Sequence, residues 1–391
     1  MKNNKDIVDI IRGYLTTSEE EMLIFLKKLV TIESPSTSIK SQHQIIDFLK
    51  KEFEEIAYNT LHVPGKKTGG YLYARPKKRD KQFPLQLLVG HCDTVWPLDT
   101  IKEMPIVNKN NEIRGPGVYD MKIGLTQIIF ALRAIKELGL PLPVNPVVLI
   151  NSDEEIGSRE STNAIKRLAK ISIRAYVLEP PLGLEGKIKT ARKGIGRFII
   201  TVKGKAAHAG LDPKKGINAI VELSHQVQKL YAMNDFERGI TVNVGMIEGG
   251  ISPNVVAPES RAIVDVRVLN ANDGEYITKK IKSLKPNLPD VELQVEGAIK
   301  RPPMEKTIRN QELWKVAKSK GELLGIDLQQ ATAGGGSDAN TTSQFTATLD
   351  GLGTPGDGAH ATHEYIFHHK IVERTILLTL LLLEQPLKTK K

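Results

Sequence analysis

Five segments of the chain carry side chains able to hold a divalent cation: His91-Cys92-Asp93, Asp120, Asp153-Glu154-Glu155, Glu179 and His360. Any one of them alone reads as a solvated loop carboxylate or a satisfied histidine. Together they offer imidazole nitrogen and carboxylate oxygen, the donors such ions take, and two ions at roughly 3.5–4 Å need one carboxylate to bridge them. The set holds two histidines and enough acids to supply that pair with one acid to spare. Cys92 lies between two of these residues and a thiolate is a good zinc ligand, but strand alternation turns it away from them, so a buried, inert thiol is expected.

The elements that must position these residues are legible as periodicities. Leu85-Gln86-Leu87-Leu88-Val89-Gly90, Val147 to Asn151 and Ala175 to Leu178 are short apolar runs, each ending in polar or acidic residues, as buried strands of one sheet do. Ile123 to Leu140 has helical spacing and is stopped by Gly139 and Pro141, so strand, helix and strand alternate as in an open α/β sheet, with ligands at the strand C-terminal ends. Upstream, Ser18 and Glu21 form a capping-box pattern before Met22-Leu23-Ile24-Phe25-Leu26, and Ile45 to Leu49 continues a 3.6-residue period. From Gly194 to Arg301 the pattern changes to alternating strands (Phe198 to Val202, Ala262 to Val268) with helices near Ile217 to Tyr231 and Glu275 to Lys285. After Pro302-Pro303 come a helix over Gln311 to Leu324, a turn Gly334-Gly335-Gly336-Ser337-Asp338 and a final helix containing the apolar run Ile376 to Leu383. The expected architecture is an α/β catalytic domain in two parts, 1–193 and 302–391, around an α+β insert over 194–301.

Composition narrows the function classes. A chain of 391 residues, 40% hydrophobic and 26% charged, is long enough for two buried cores and too apolar for a disordered one. Its one cysteine cannot form an internal disulfide, which fits a reducing cytoplasm. The formal charge is +10, but aromatics are only 5% and the basic runs Pro76-Lys77-Lys78-Arg79 and Lys388-Thr389-Lys390-Lys391 read as a loop and a tail, so no nucleic-acid partner is expected. The start Met1-Lys2-Asn3-Asn4-Lys5-Asp6 leads into a charged amphipathic stretch without a signal-peptide apolar segment, and the run from Ile376 is far short of the roughly 20 residues of a membrane span. Neither export nor a membrane location is expected.

The strings Gly90-His91-Cys92-Asp93-Thr94-Val95-Trp96-Pro97, Gly115 to Lys122 around Asp120, Asp153-Glu154-Glu155-Ile156-Gly157-Ser158, Leu178-Glu179-Pro180 and Gly358-Ala359-His360, with Glu364 and Tyr365 following, resemble those of the zinc-dependent exopeptidase and deacylase superfamily over nearly the whole chain. The resemblance implies an open, mostly parallel sheet with helices on both faces and an inserted lid and dimerisation domain. It also implies two divalent ions per chain, zinc with cobalt or manganese able to substitute. His91 and Glu179 would hold one ion, Glu155 and His360 the other, and Asp120 would bridge them. Asp93 would fix the His91 tautomer through its carboxylate. Glu154 would be the general base on metal-bridging water, pointing away from Glu155 on an extended backbone.

In the insert, Lys205-Ala206-Ala207-His208-Ala209-Gly210 resembles a lid motif whose histidine stabilises an oxyanion across a homodimer. Asn254 and Arg267 match positions that bind substrate, with a turn asparagine and a strand-edge arginine as their bland alternatives. Within the superfamily the sequence is most similar to bacterial glutamate carboxypeptidases, Lys187 and Arg301 falling where two cations would meet the carboxylates of an acidic residue. That implies hydrolysis of a peptide or amide bond in a small peptide or N-acyl amino acid, with release of a C-terminal acidic residue. Solvated surface cations are the alternative for both residues. An N-acyl amino acid deacylase of the acetylornithine or succinyl-diaminopimelate type is the other enzymatic reading, and a basic binding protein on the same fold the non-enzymatic one. Ile123 departs from the pattern, standing where many relatives have Gly.

Overall fold

The computed structural model describes residues 4–387; the basic run Lys388 to Lys391 and the first three residues lie outside the described residues. The described residues form two units, one comprising the chain up to Thr190, Lys306–Thr332 and Ser337 onward, the other Ala191–Glu305 and Ala333–Gly336.

The first unit is built on a six-stranded sheet in the spatial order Tyr58–Val63, Tyr71–Pro76, Asn145–Asn151, Leu85–His91, Ser172–Val177, Ala347–Leu349. The last four strands are mutually parallel, and the first two join antiparallel. All seven residues of Asn145–Asn151 are buried, the signature of a central strand covered on both faces and the reason its sequence reads as a continuous apolar run. Helix Ile123–Glu137 is buried nearly all round and packs on helix Ile371–Leu382, whose Leu377, Leu378, Leu381 and Leu382 are among the most enclosed side chains of the core. No helix among the described residues is long and apolar enough to cross a membrane.

The capping box expected at Ser18 and Glu21 does not form. Helix Asn4–Thr17 runs almost directly into helix Glu19–Thr31, and the Ser18 and Met22 amides find the Tyr14 and Ser18 carbonyls at 3.0 and 2.9 Å. With its amide donors already satisfied, the junction leaves the Ser18 hydroxyl to donate backwards to the Tyr14 carbonyl at 2.9 Å.

In the second unit an antiparallel sheet runs in the order Thr241–Gly249, Glu259–Val268, Gly194–Lys203, Glu292–Arg301. Alternation is clean: Phe198, Ile200 and Val202 face Leu223, Leu230, Val264, Val266, Ile277 and Ile281 in a separate core. Helices Ala219–Tyr231 and Ala271–Lys282 are capped by Asn218 and Asn270, whose side-chain oxygens accept the Ile220 and Asp273 amides at 3.0 and 2.8 Å.

Candidate metal centre

Parallel pairing brings three of the five segments to one edge of the sheet. His91 ends its strand level with Asn151, and Val89 lies level with Val177, so His91, the segment after Asn151 and Glu179 all emerge from strand C-terminal ends. A second, small sheet delivers the other two. Strand Glu112–Arg114, which leads into Asp120, pairs with Tyr365–Phe367, and that strand pairs with Gly356–Asp357, so His360 sits on the connection between the last two. The connection turns at Gly358 (φ 80°), where a Cβ would lie 2.9 Å from the Glu364 backbone.

The ligand atoms form two groups that share Asp120, each group lying within 4.8 Å. In one, His91 Nε2 is 3.1 Å from Asp120 Oδ1 and 3.5 Å from Glu179 Oε1. In the other, His360 Nε2 is 3.4 Å from Asp120 Oδ2 and 3.1 Å from Glu155 Oε2. One oxygen of Asp120 faces each group, as a bridging carboxylate requires. Glu155 Oε1 is buried without a hydrogen-bond partner, an arrangement that costs on the order of 1–3 kcal/mol unless a cation or donor meets it. The donor set of imidazole nitrogens and carboxylate oxygens therefore fits a pair of divalent ions.

Protons partly neutralise this concentration of acids. Burial raises the Glu155 carboxyl to about 7. Hydrogen bonds to Asp120 and Glu155 raise His360 to about 10. Burial disfavours a charged His91, but its hydrogen bonds to Asp120 and Asp93 win and hold it well above the ordinary imidazole value. Burial likewise opposes ionisation of Asp120, and hydrogen bonds from His360 and His91 overcome it and keep the carboxyl well below its usual range. Since a metal takes neutral imidazole, binding must expel these protons. Metal affinity should therefore rise with pH through neutrality, and calorimetric titration at pH 7 in buffers of different ionisation enthalpy should register net proton release. Uptake without proton release would contradict this charge state.

The turn carrying Glu154 and Glu155 departs from expectation. The strand ends at Asn151, and residues 154–157 form a turn closed by Gly157 N–H to the Glu154 carbonyl at 2.8 Å, so strand alternation does not separate the two glutamates. Asp93 organises them instead: its carboxylate accepts the Glu154 and Glu155 amides, both at 3.2 Å, and the Ser36 hydroxyl at 2.7 Å. Its carbonyl lies 3.0 Å from His91 Nδ1, nearer than its carboxylate at 3.5 Å. Glu364 holds the Asp120 loop. Its carboxylate accepts the amides of Gly117, Tyr119 and Asp120 at 2.8, 2.9 and 3.0 Å and the Trp96 indole at 2.9 Å. The Asp120–Met121 peptide within that loop is cis. Nothing in the sequence assigned Glu364 this task; its place four residues after His360 was the available signal.

The other candidates lie outside the two ligand groups. Cys92 is fully buried in the apolar core, and burial drives its thiol far upward, so it is no thiolate at neutral pH. Lys187 belongs to the first unit, on the turn closed by reciprocal Leu182–Lys187 backbone bonds, with Nζ 3.9 Å from Glu185. His208, Asn254, Arg267 and Arg301 belong to the second unit. There His208 bridges Val255, the Ala209 amide donates to the Asn254 carbonyl at 2.9 Å, and His208 Nδ1 accepts the Gly210 and Leu211 amides at 3.1 Å each. That fixes the His208 proton on Nε2. Arg267 is engaged bidentately by Asp265 at 2.7 and 3.0 Å, and Arg301 ends its strand.

The peptidase dimerisation domain model matches residues 190–287. Carboxypeptidase G2 of Pseudomonas sp. (strain RS-16) is 26% identical over 378 residues, covering 94% of this chain and 90% of its own. Among solved structures, aminopeptidase PepT of Bacillus cereus superposes with a TM-score of 0.77 at 22% identity over 93% of this chain and 98% of its own. The M20 family metallo-carboxypeptidase Sso-CP2 of Sulfolobus solfataricus superposes with a TM-score of 0.73 at 18% identity, over 93% of this chain and 99% of its own.

Proposed function

The chain belongs to the M20 peptidase family as a hydrolase of the metallo-carboxypeptidase type, and we propose that it uses two divalent ions, zinc in first place, to release a C-terminal acidic residue from a small peptide or N-acyl amino acid. The observation that carries the reading is the pair of ligand groups sharing Asp120, with Glu154 on the same turn as Glu155. In this reading His91 and Glu179 hold one ion, Glu155 and His360 the other, and Asp120 both. Bound ions supply Lewis-acid polarisation of the scissile carbonyl and a lowered water pKa.

The chain's own residues do the rest. Glu154 takes a proton from the attacking water and delivers it to the leaving amine, while Asp93 holds the Glu154 amide in place. The His208 Nε2–H stabilises the developing oxyanion, acting across a homodimer. The segment 194–301 would serve as lid and dimerisation domain between catalytic parts 1–193 and 302–391. Strand Thr241–Gly249 lies at the edge of its sheet among the described residues, with Met246 and Ile247 exposed, and that free side supports pairing between copies. A buried, un-ionised lone thiol suits a cytoplasmic setting.

Substrate selection is assigned to Lys187 and Arg301, with Asn254 and Arg267 as further binding groups. The internal partners of Lys187 and Arg267 favour a second reading, a general N-acyl amino acid deacylase with no acidic preference. Alanine substitution of Lys187 and Arg301, assayed on paired glutamate- and glutamine-terminated substrates, separates the two. Loss of one charge-assisted hydrogen bond should lower kcat/KM by roughly 10- to 150-fold on glutamate and much less on glutamine. Equal losses would select the deacylase.

A further inference from the structure

Asp338 follows the glycine-rich turn, is buried, and accepts a hydrogen bond on each carboxylate oxygen: Oδ2 from Asn151 Nδ2 at 2.7 Å and Oδ1 from the Ser158 hydroxyl at 2.5 Å. These partners stand at the two ends of the segment that carries Glu154 and Glu155. Asn151 is the last residue of its strand, and Ser158, in the left-handed conformation at φ 52°, lies where the chain turns toward helix Thr162–Ile171. The segment is also closed on itself. Asn151 Nδ2 donates to Ser161 Oγ at 3.0 Å, the Ser161 hydroxyl donates to Asp153 Oδ1 at 2.5 Å, and Asp153 Oδ2 accepts the Glu160 amide at 2.7 Å. Asn151, Asp153, Ser158, Ser161 and Asp338 are all buried. Asp338 is the member that comes from far away in sequence and spans both ends.

We propose that Asp338 is a positioning residue that sets the affinity of one cation only, the one Glu155 and His360 would hold, and that fixes Glu154 relative to it. The proposal rests on the two-ion reading above. Its selectivity follows from connectivity: Glu155 is the one ligand on the stapled segment, whereas His91, Asp120 and Glu179 stand on other segments. Without Asp338, the Asn151 amide and Ser158 hydroxyl lose a buried acceptor, and the turn gains conformations in which Glu155 no longer faces His360.

Cobalt(II) titration of metal-free protein, followed by visible absorbance, tests this alongside a thermal melt. The unmutated chain should take up two ions in resolvable steps. Asp338→Ala should weaken one of the two steps about 10- to 100-fold and leave the other unchanged. Asp338→Asn should recover part of that loss, because its oxygen can accept from Asn151 while Ser158 turns its hydroxyl to accept from the amide. Equal weakening of both steps, or none, would overturn the proposal while the two-ion reading stands. Fewer than two ions on the unmutated chain would overturn both together. Should Asp338→Ala not fold, Ser158→Ala decides between the same outcomes, since it removes one hydroxyl and keeps the carboxylate.

Discussion

Glu154→Gln should retain both metal ions and lower kcat by about 10²–10⁴, the range for a lost general base. The substitution is nearly isosteric, and the bond placing the residue, from its amide to Asp93 at 3.2 Å, belongs to the backbone and survives. What changes is proton capacity: a carboxamide cannot take a proton from water and pass it to the leaving amine. Glu155 is no substitute, because its carboxylate faces His360 at 3.1 Å within a ligand group. KM should change little, since the loss falls on the transition state. Metal analysis with steady-state kinetics checks this, and near-normal kcat in a two-metal mutant would place the base elsewhere.

Asp120→Ala should empty both sites and remove measurable turnover, a larger effect than loss of the base. Asp120 is the one residue common to the two groups, one oxygen toward His91 and the other toward His360. The fold should survive, because Glu364 grips this loop through the backbone amides of Gly117, Tyr119 and Asp120, which alanine preserves. Cys92→Ser is the matched control: its buried side chain belongs to the core, and both ions should remain. A mutant at Asp120 that kept one ion at full occupancy would show that the two groups are independent, and zinc loss in Cys92→Ser would show that the thiol had been assigned the wrong direction.

Three of the candidate ligand segments were legible in the sequence because they stand where an apolar strand gives way to polar residues, at His91, after Asn151 and at Glu179, whereas Asp120 and His360 were singled out only by the resemblance. Parallel register brings those three together, and the small antiparallel sheet delivers Asp120 and His360. The turn at Glu154 was misread as extended chain because its shape is imposed by Asp93, about 60 residues earlier, through two amides that leave no mark on local composition. Ser18 carried a capping pattern that the neighbouring helix made redundant. Glu364 and Asp338 act by the same long-range route, holding loops by hydrogen bonds across the fold, so their residue types alone could not announce them. The edge strands Tyr58–Val63 and Thr241–Gly249 escaped notice because partly exposed strands mix polar and apolar residues without a strong period.

Free glutamate released from an N-acyl glutamate, assayed before and after chelation, shows whether release of the acidic residue depends on the bound ions. Chelated protein should release none, and adding back two equivalents of zinc, cobalt or manganese per chain should restore release. Undiminished glutamate release by protein verified to be metal-free would contradict a metal-dependent hydrolysis.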